Sequence, residues 1–246
     1  MSAIFKREMK AYFTSPLGYI ILAVFTVISS IIFVIYNAGF NPFSGETSSS
    51  YLTNDLTALY SSLLSVLIIA VPLLTMKLLS EEKKLGTDQL LITSPVGVLD
   101  IVLGKYLSAA AMYGMSLAVT IVFWVISATN SPFFDFGVAT GNFIAVLLVG
   151  MVFIAIGLFI SSLTESQLIS ALGTFAVMLL AMLMPSFASK ISSRVVAQAL
   201  SALSVYDRYN NFTAGLFDVP AVVFYISLIA AFIFLTARVI EKRRYS

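Results

Sequence analysis

Six apolar stretches, each long enough to cross a lipid bilayer, constrain the fold of this chain more than any other feature. A transmembrane helix needs about 20 predominantly apolar residues to cross the roughly 30 Å hydrocarbon core. Because unpaired backbone groups are costly in lipid, segments of this kind span as helices. The sequence predicts one all-α membrane domain, residues 1–246, with six transmembrane helices. The stretches have charge-free cores and cover residues 17–36, 59–79, 107–129, 143–163, 168–187 and 219–239.

The first stretch follows a polar-rich lead and is not followed by a small-x-small cleavage site. We therefore expect a retained span rather than a removed signal peptide. Lysine and arginine favour cytoplasmic loops, so their positions predict orientation. Eleven of the 14 basic residues lie before span one, around the loop between spans two and three, or after span six. The other three are Lys190, Arg194 and Arg208. Both termini, residues 80–100 and the turn 164–167 are predicted to be cytoplasmic; residues 38–58, 130–142 and 188–218 are predicted to be external.

The composition disfavours an enzyme. The chain contains no cysteine and no histidine, which removes most metal ligation, a histidine base and a cysteine nucleophile. No activating base accompanies the intramembrane serines, such as Ser161 and Ser162, so we expect their hydroxyls to bond backbone carbonyls in helix packing. Gly157-x-x-x-Ser161 likewise predicts a close-packing face. No catalytic residue, resident cofactor or metal site is predicted, and a net charge of +2 does not indicate a nucleic-acid partner.

The energy source for any pump activity is missing from the sequence. No GxxxxGK[ST] phosphate loop is present. With the span boundaries given above, no ionisable residue lies deep in a span, which disfavours an ion-coupled carrier. Sodium coupling through carbonyls and hydroxyls stays open. A pump of this composition would need a partner that supplies energy.

The loop between spans two and three contains the densest charge in the chain, followed by a short amphipathic segment. Gly86 permits a sharp turn, and Thr87 is a suitable N-cap for a helix of about two turns. Leucines give this helix an apolar side, and the proline disfavours helix at the residue before it. The helix either docks into a groove on another protein or lies among lipid headgroups. The segment comprises Glu81, Glu82, Lys83, Lys84, Gly86, Thr87, Leu90, Leu91 and Pro95.

Two further amphipathic elements flank the spans. Residues 3–13 place Phe5 and Tyr12 on one side and basic residues on another, which predicts an interfacial helix. In the outer loop 188–218, apolar residues at helical spacing over 195–203 predict a helix that lies at the outer surface or dips into it. Asp207, Arg208 and Tyr209 follow. They belong either to a surface helix with an aromatic belt residue or to an outer gate.

Three stretches resemble the membrane subunits of ABC-2 type transporters, and most closely the branch of the gliding-motility and nitrous-oxide-reductase-maturation permeases. They are FKREMKAYFTSPLGYI at 5–20, EEKKLGTDQLLITSPVGVLDIVLGKYL at 81–107, and the tail 204–245 beginning SVYDRYNNF. The resemblance implies six spans with both ends in the cytoplasm of a bacterial cell, in its cytoplasmic membrane. It also implies a dimer with a second or related permease and a separate cytoplasmic ATPase that binds ATP and magnesium.

The resemblance also implies roles for particular residues. Seven residues match the coupling-helix motif that sits in a groove of the ATPase: Glu81, Glu82, Gly86, Thr87, Leu90, Leu91 and Pro95. Arg7, Glu8 and Tyr12 match the elbow helix that supports it, and outer re-entrant helices of the family favour the gate reading of residues 207–209. The implied function is export without enzymatic activity in this chain, in some members with an accessory membrane protein bearing an extracytoplasmic domain. An ion-gradient-driven carrier or channel, or a membrane scaffold, stays an alternative.

Overall fold

The computed structural model describes residues 2–37, 56–86, 97–130, 134–188, 204–213 and 218–244. This part of the chain is almost entirely helical and contains no β-strand. Its helices are α1 (Ser2–Thr14), α2 (Pro16–Asn37), α3 (Leu56–Thr75), α4 (Ser80–Lys84), α5 (Val98–Ala118), α6 (Ile121–Asn130), α7 (Phe136–Leu163), α8 (Gln167–Ala188), α9 (Val205–Thr213) and α10 (Val219–Arg244).

The prediction of an all-α protein with six membrane-spanning helices is confirmed. The spans are Gly18–Tyr36, Leu56–Lys84, Val98–Thr129, Phe136–Leu163, Gln167–Phe187 and Val219–Lys242. Six crossings return the chain to the side on which it began. We call this side the terminal face: it carries α1, α4, the first turns of α5, the turn between α7 and α8, and the end of α10.

The second, third and fourth spans are longer than the apolar pattern indicates: the fourth begins at Phe136 rather than at 143, and the other two each contain a break. The second span passes through a turn at residues 76–79 and ends in the charged helix α4, while Pro72 lies inside α3. The third span begins at Val98 rather than at 107 and is interrupted between α5 and α6. Lys105, which the sequence pattern places in a loop, is therefore inside a span. The apolar pattern in the sequence ends at the first charged residue. A helix can continue past charged residues when their side chains form ion pairs.

Helix α7 is the centre of the bundle and packs against α3, α5, α8, α9 and α10. Asp135 caps its first turn, accepting a hydrogen bond from the backbone N–H of Gly137 at 2.7 Å. Two glycines let neighbours approach the helix axis: a Cβ on Gly150 would overlap the ring of Tyr113, and a Cβ on Gly157 would overlap Thr75. The predicted close-packing face at Gly157 is confirmed.

The junction between α1 and α2 is a tight one. Helix α1 stops at Thr14, and Pro16 opens α2, where its missing N–H costs nothing. A Cβ on Gly18 would overlap the carbonyl of Tyr12, so only glycine permits this approach. Glycine at this position brings α1 close to the start of the first span and fixes it on the terminal face.

Candidate functional site: an ionic cluster on the terminal face

Four charged side chains from three helices meet on the terminal face. Arg7 and Glu8 belong to α1, Glu82 to α4 and Lys105 to α5. The Nζ of Lys105 lies 3.2 Å from Oε1 of Glu8 and 2.9 Å from Oε1 of Glu82. A guanidinium nitrogen of Arg7 lies 2.6 Å from the same Glu8 oxygen and 2.9 Å from the same Glu82 oxygen. We call these four residues the ionic cluster.

Solvent exposure decreases across the ionic cluster. The exposed fraction of the side chain is 52% for Arg7, 18% for Glu82, 15% for Glu8 and 1% for Lys105. A buried ammonium is tolerated only when it is paired. Lys105 meets this requirement through two carboxylates, one on each of two other helices. Each of the three helices therefore depends on the other two for its charge balance.

The pKa of Glu8 reflects a competition between burial and the two neighbouring cations. Burial by itself raises the pKa of this carboxyl, but the charge of Lys105 and the hydrogen bonds and charge of Arg7 outweigh it. The net pKa lies below the ordinary value of 4.5. The hydrogen bond to Glu8 in turn raises the pKa of Arg7 despite its partial burial. Glu8 is thus held in its ionised form in the folded protein.

A neutral contact links α1 to the second span beside the cluster. The Tyr12 hydroxyl donates a hydrogen bond to the backbone carbonyl of Leu74 at 3.2 Å. Burial, with a further contribution from the charge of Glu8, raises the pKa of Tyr12, so the phenol stays a donor. Glu8, Tyr12, Lys77 and Glu81 also line a small pocket of about 200 Å³ between α1 and the start of α4.

Helix α4 is anchored to the end of α7 by two serines. Ser161 Oγ accepts hydrogen bonds from the backbone N–H groups of Leu79 and Ser80, both at 3.1 Å. Lys83 Nζ donates to the backbone carbonyl of Ser162. The Ser162 hydroxyl bonds the carbonyl of Phe159, as expected. The expectation for Ser161 was incomplete, because its main role is to accept from the amides exposed by the break in the second span.

The predicted coupling segment is only partly described. The five residues Ser80–Lys84 are helical, and Gly86 has φ of 68°, the one positive φ in the described part of the chain. The turn predicted at Gly86 is confirmed. Thr87, Leu90, Leu91 and Pro95 lie outside the described residues, as do the predicted helix positions 195–203. Of the predicted elbow residues, Phe5 is half-buried, and Arg7, Glu8 and Tyr12 make the contacts given above.

The predicted outer residues lie in α9, across the membrane from the ionic cluster. Tyr209 is 2% exposed, and its hydroxyl donates to Oδ1 of Asn142 on α7 at 3.2 Å. Arg208 stacks over the ring of Phe224 with its guanidinium carbon 4.0 Å from the ring centre. Asp207 donates its backbone N–H to Ser204 Oγ at 3.1 Å, closing the first turn. Tyr209 attaches α9 to α7 and Arg208 attaches it to α10, whereas the bond of Asp207 lies within the first turn, so the three residues do not form one cluster.

A second polar group lies near the break in the third span. The Tyr60 hydroxyl is 3.1 Å from Oγ1 of Thr120 and accepts a hydrogen bond from the indole N–H of Trp124 at 2.7 Å. These residues, with Lys105 and Asn142, are the site residues that sequence reasoning missed; for Ser161 it missed the backbone N–H groups of Leu79 and Ser80 as partners. Of the missed residues, only Lys105 carried a signal, because it lies in the stretch 81–107 that resembles the family.

The fold and the site together define a class of protein. It is a multi-pass α-helical membrane protein in which ion pairs join the surface helices of one face to the ends of the spans. The chain belongs to the ABC-2 transporter family, because the family model described as "ABC-2 family transporter protein" matches residues 2–241. Members of this family are membrane components of ABC transporters that work with a cytoplasmic ABC ATPase and are not themselves catalytic. No curated protein sequence matches the chain at a significant level.

Proposed function

We propose that this chain is the permease subunit of an ATP-driven exporter that forms its path as a dimer and is driven by a separate cytoplasmic ATPase. We place it in the gliding-motility and nitrous-oxide-reductase-maturation branch of the family, with the terminal face in the cytoplasm. The observation that carries the proposal is the ionic cluster, which joins α1, α4 and α5 on both sides of the loop 87–96.

The loop 87–96 connects the second span to the third. Helix α4 precedes the loop and α5 follows it, and Lys105 pairs with Glu82 across that gap at 2.9 Å. A force applied to the loop would therefore move the ends of the second and third spans together, with α1 attached through Glu8. Because the sequence has no phosphate loop, that force has to come from a partner.

The dimer is supported by the uneven burial of the spans. In the single chain the first, fifth and sixth spans are much less buried than the fourth. Their apolar faces need lipid or a second permease as a neighbour. A path formed between the apolar spans of two permeases would fit lipid-like or hydrophobic substrates. An accessory membrane protein with an extracytoplasmic domain is part of the proposal for this branch.

The test is co-purification with a candidate ABC ATPase that is co-expressed with this permease. We expect the unmodified chain to retain the ATPase in detergent and the double variant Leu90→Glu/Leu91→Glu to lose it. Lys242→Glu adds a carboxylate to an exposed position at the end of α10 and serves as the matched control, with binding unchanged. Retention of the ATPase by the double variant would show that the coupling assignment is wrong.

The buried charge of Lys105 is the one observation that favours an ion-gradient-driven carrier, because intramembrane ionisable residues are typical of such carriers. Its pairing with two carboxylates close to the terminal face argues for a structural ion pair instead. Transport by the purified chain in liposomes without an ATPase would support the carrier. A complex whose ATPase rate responds to no substrate and to no membrane would support a scaffold.

A further inference from the structure

A second pocket on the terminal face lies between the hinge of the second span and the turn that joins α7 to α8. Its volume is about 590 Å³, within the range of roughly 300–1,000 Å³ of small-molecule sites. One wall is formed by the end of α3 and by α4, and the other by the turn and the first residues of α8. Its lining residues are Leu73, Met76, Lys84, Glu165, Ser166, Gln167, Leu168 and Ala171.

Two side chains of opposite charge line this pocket. Lys84 ends α4, and Glu165 lies in the turn between α7 and α8. Both side chains are exposed, and neither forms an ion pair or a hydrogen bond with the described part of the chain. This contrasts with the ionic cluster, where every charge has at least two partners. The pocket therefore presents one available cation and one available anion.

Each of the two walls also contributes an exposed apolar side chain. Leu73 is 44% exposed and Leu168 is 68% exposed, and both are in membrane-spanning helices close to their ends on the terminal face. The ends of spans lie at the depth of lipid headgroups, where polar and apolar groups meet. A ligand suited to this pocket needs a charged end of both signs and an apolar body directed into the membrane.

We propose that this pocket binds the headgroup of a zwitterionic aminophospholipid such as phosphatidylethanolamine. Lys84 would contact the phosphate, Glu165 would accept a hydrogen bond from the ammonium, and the acyl chains would follow Leu73 and Leu168. Phosphatidylglycerol satisfies Lys84 but places no cation against Glu165. A fully methylated choline has no N–H to donate to the carboxylate. The geometry thus assigns a preference for the primary amine.

The experiment is native mass spectrometry of the purified full chain released from micelles with equimolar phosphatidylethanolamine and phosphatidylglycerol. The unmodified chain should retain about two- to fivefold more phosphatidylethanolamine than phosphatidylglycerol. The factor is small because an ion pair exposed to water contributes little to binding. Glu165→Gln should reverse the preference, because only the cation remains. Lys84→Gln should lower retention of both lipids.

Glu241→Gln is the matched control. It removes an acid from the same face, but Glu241 pairs with Arg238 at 2.9 Å and does not line the pocket. Its lipid preference should equal that of the unmodified chain. Should a neutral variant fail to fold, Lys84→Arg and Glu165→Asp should fold and keep the preference. Equal retention of both lipids, or a preference unchanged in Glu165→Gln, would mean that only annular lipid binds there.

Discussion

Lys105 Nζ lies 2.9 Å from Oε1 of Glu82 and 3.2 Å from Oε1 of Glu8, so one buried cation on α5 holds carboxylates from α4 and α1. Exposed ion pairs contribute little, because water competes for both partners. Removing one member of a buried pair is different, because it leaves an uncompensated charge behind. The ionic cluster should therefore behave as a unit, with strongly non-additive effects when two of its members are changed.

Lys105→Met should lower the free energy of unfolding by about 3 kcal/mol, because Glu8 and Glu82 lose their buried partner. Thermal unfolding of the purified chain in detergent measures the change. Lys10→Met removes a lysine at an exposed position of α1 and should change stability by less than about 0.5 kcal/mol. Lys105→Arg should recover part of the loss. Equal shifts for the two methionine variants would show that the cluster contributes nothing.

The lowered pKa of Glu8 predicts a specific acid sensitivity. A carboxyl with a depressed folded-state pKa stabilises the protein fully above its unfolded value and loses that contribution as the pH falls through the folded value. The contribution of Glu8 should therefore be complete above its ordinary pKa of 4.5 and should be lost as the pH falls through the lower pKa of the folded state. The difference in melting temperature between the unmodified chain and Glu8→Gln should shrink as the pH falls below 4.5.

Glu241→Gln provides the comparison for this pH profile, since Glu241 pairs with Arg238 at the surface, where the side chains are 37% and 63% exposed. That variant should parallel the unmodified protein over the whole range. A constant difference between the unmodified chain and Glu8→Gln at every pH would mean that ionisation of Glu8 does not contribute to stability.

Ser161→Ala should destabilise the break in the second span. The substitution leaves the backbone N–H groups of Leu79 and Ser80 without their acceptor, at a cost of about 1–3 kcal/mol. Ser162→Ala is the neighbouring control: Ser162 is equally buried, but its hydroxyl donates only to a carbonyl of its own helix. The melting temperature should fall for the first variant and stay nearly unchanged for the second. Two equal shifts would contradict the capping role.

Gly157→Ala should loosen the contact between α7 and α3. A Cβ at this position would overlap the side chain of Thr75, and overpacking of this kind costs about 1–3 kcal/mol. A Cβ on Gly114, inside α5, would meet no atom within 4 Å. Gly114→Ala should instead stabilise the helix by about 0.5–1 kcal/mol through its higher helix propensity. Unfolding measurements with opposite signs for the two variants would support the close-packing face.

The sequence was sufficient for the number and order of the spans, because a 20-residue apolar run has few alternatives in a bilayer. It also indicated the turn at Gly86 and the close approach at Gly157, where residue type limits the backbone directly. It did not reveal that Lys105 is buried, because a lysine just before an apolar run is typical of a loop. Its partners Glu8 and Glu82 are distant in the sequence, and only the tertiary fold brings them together.

The roles of Ser161 and Asn142 were equally hidden. A serine or asparagine in a span has many local partners, and its long-range partner depends on how the helices are packed. Ser161 meets Leu79 and Ser80 only because α7 ends beside the break in the second span. Side chains that join non-adjacent helices are therefore the part of the site that periodicity and composition do not predict.

Tyr209→Phe should release α9 from α7 on the face opposite the ionic cluster. The substitution keeps the buried ring but removes the hydroxyl that donates to Asn142 at 3.2 Å, at a cost of about 1 kcal/mol. Amide hydrogen exchange across residues 205–213 should become about fivefold faster if the local opening free energy falls by this amount. Tyr206→Phe changes a tyrosine on the same helix whose hydroxyl bonds to nothing in the described part of the chain. Exchange in that variant should match the unmodified protein, and equal acceleration in both would show that the Tyr209 hydroxyl does not hold α9.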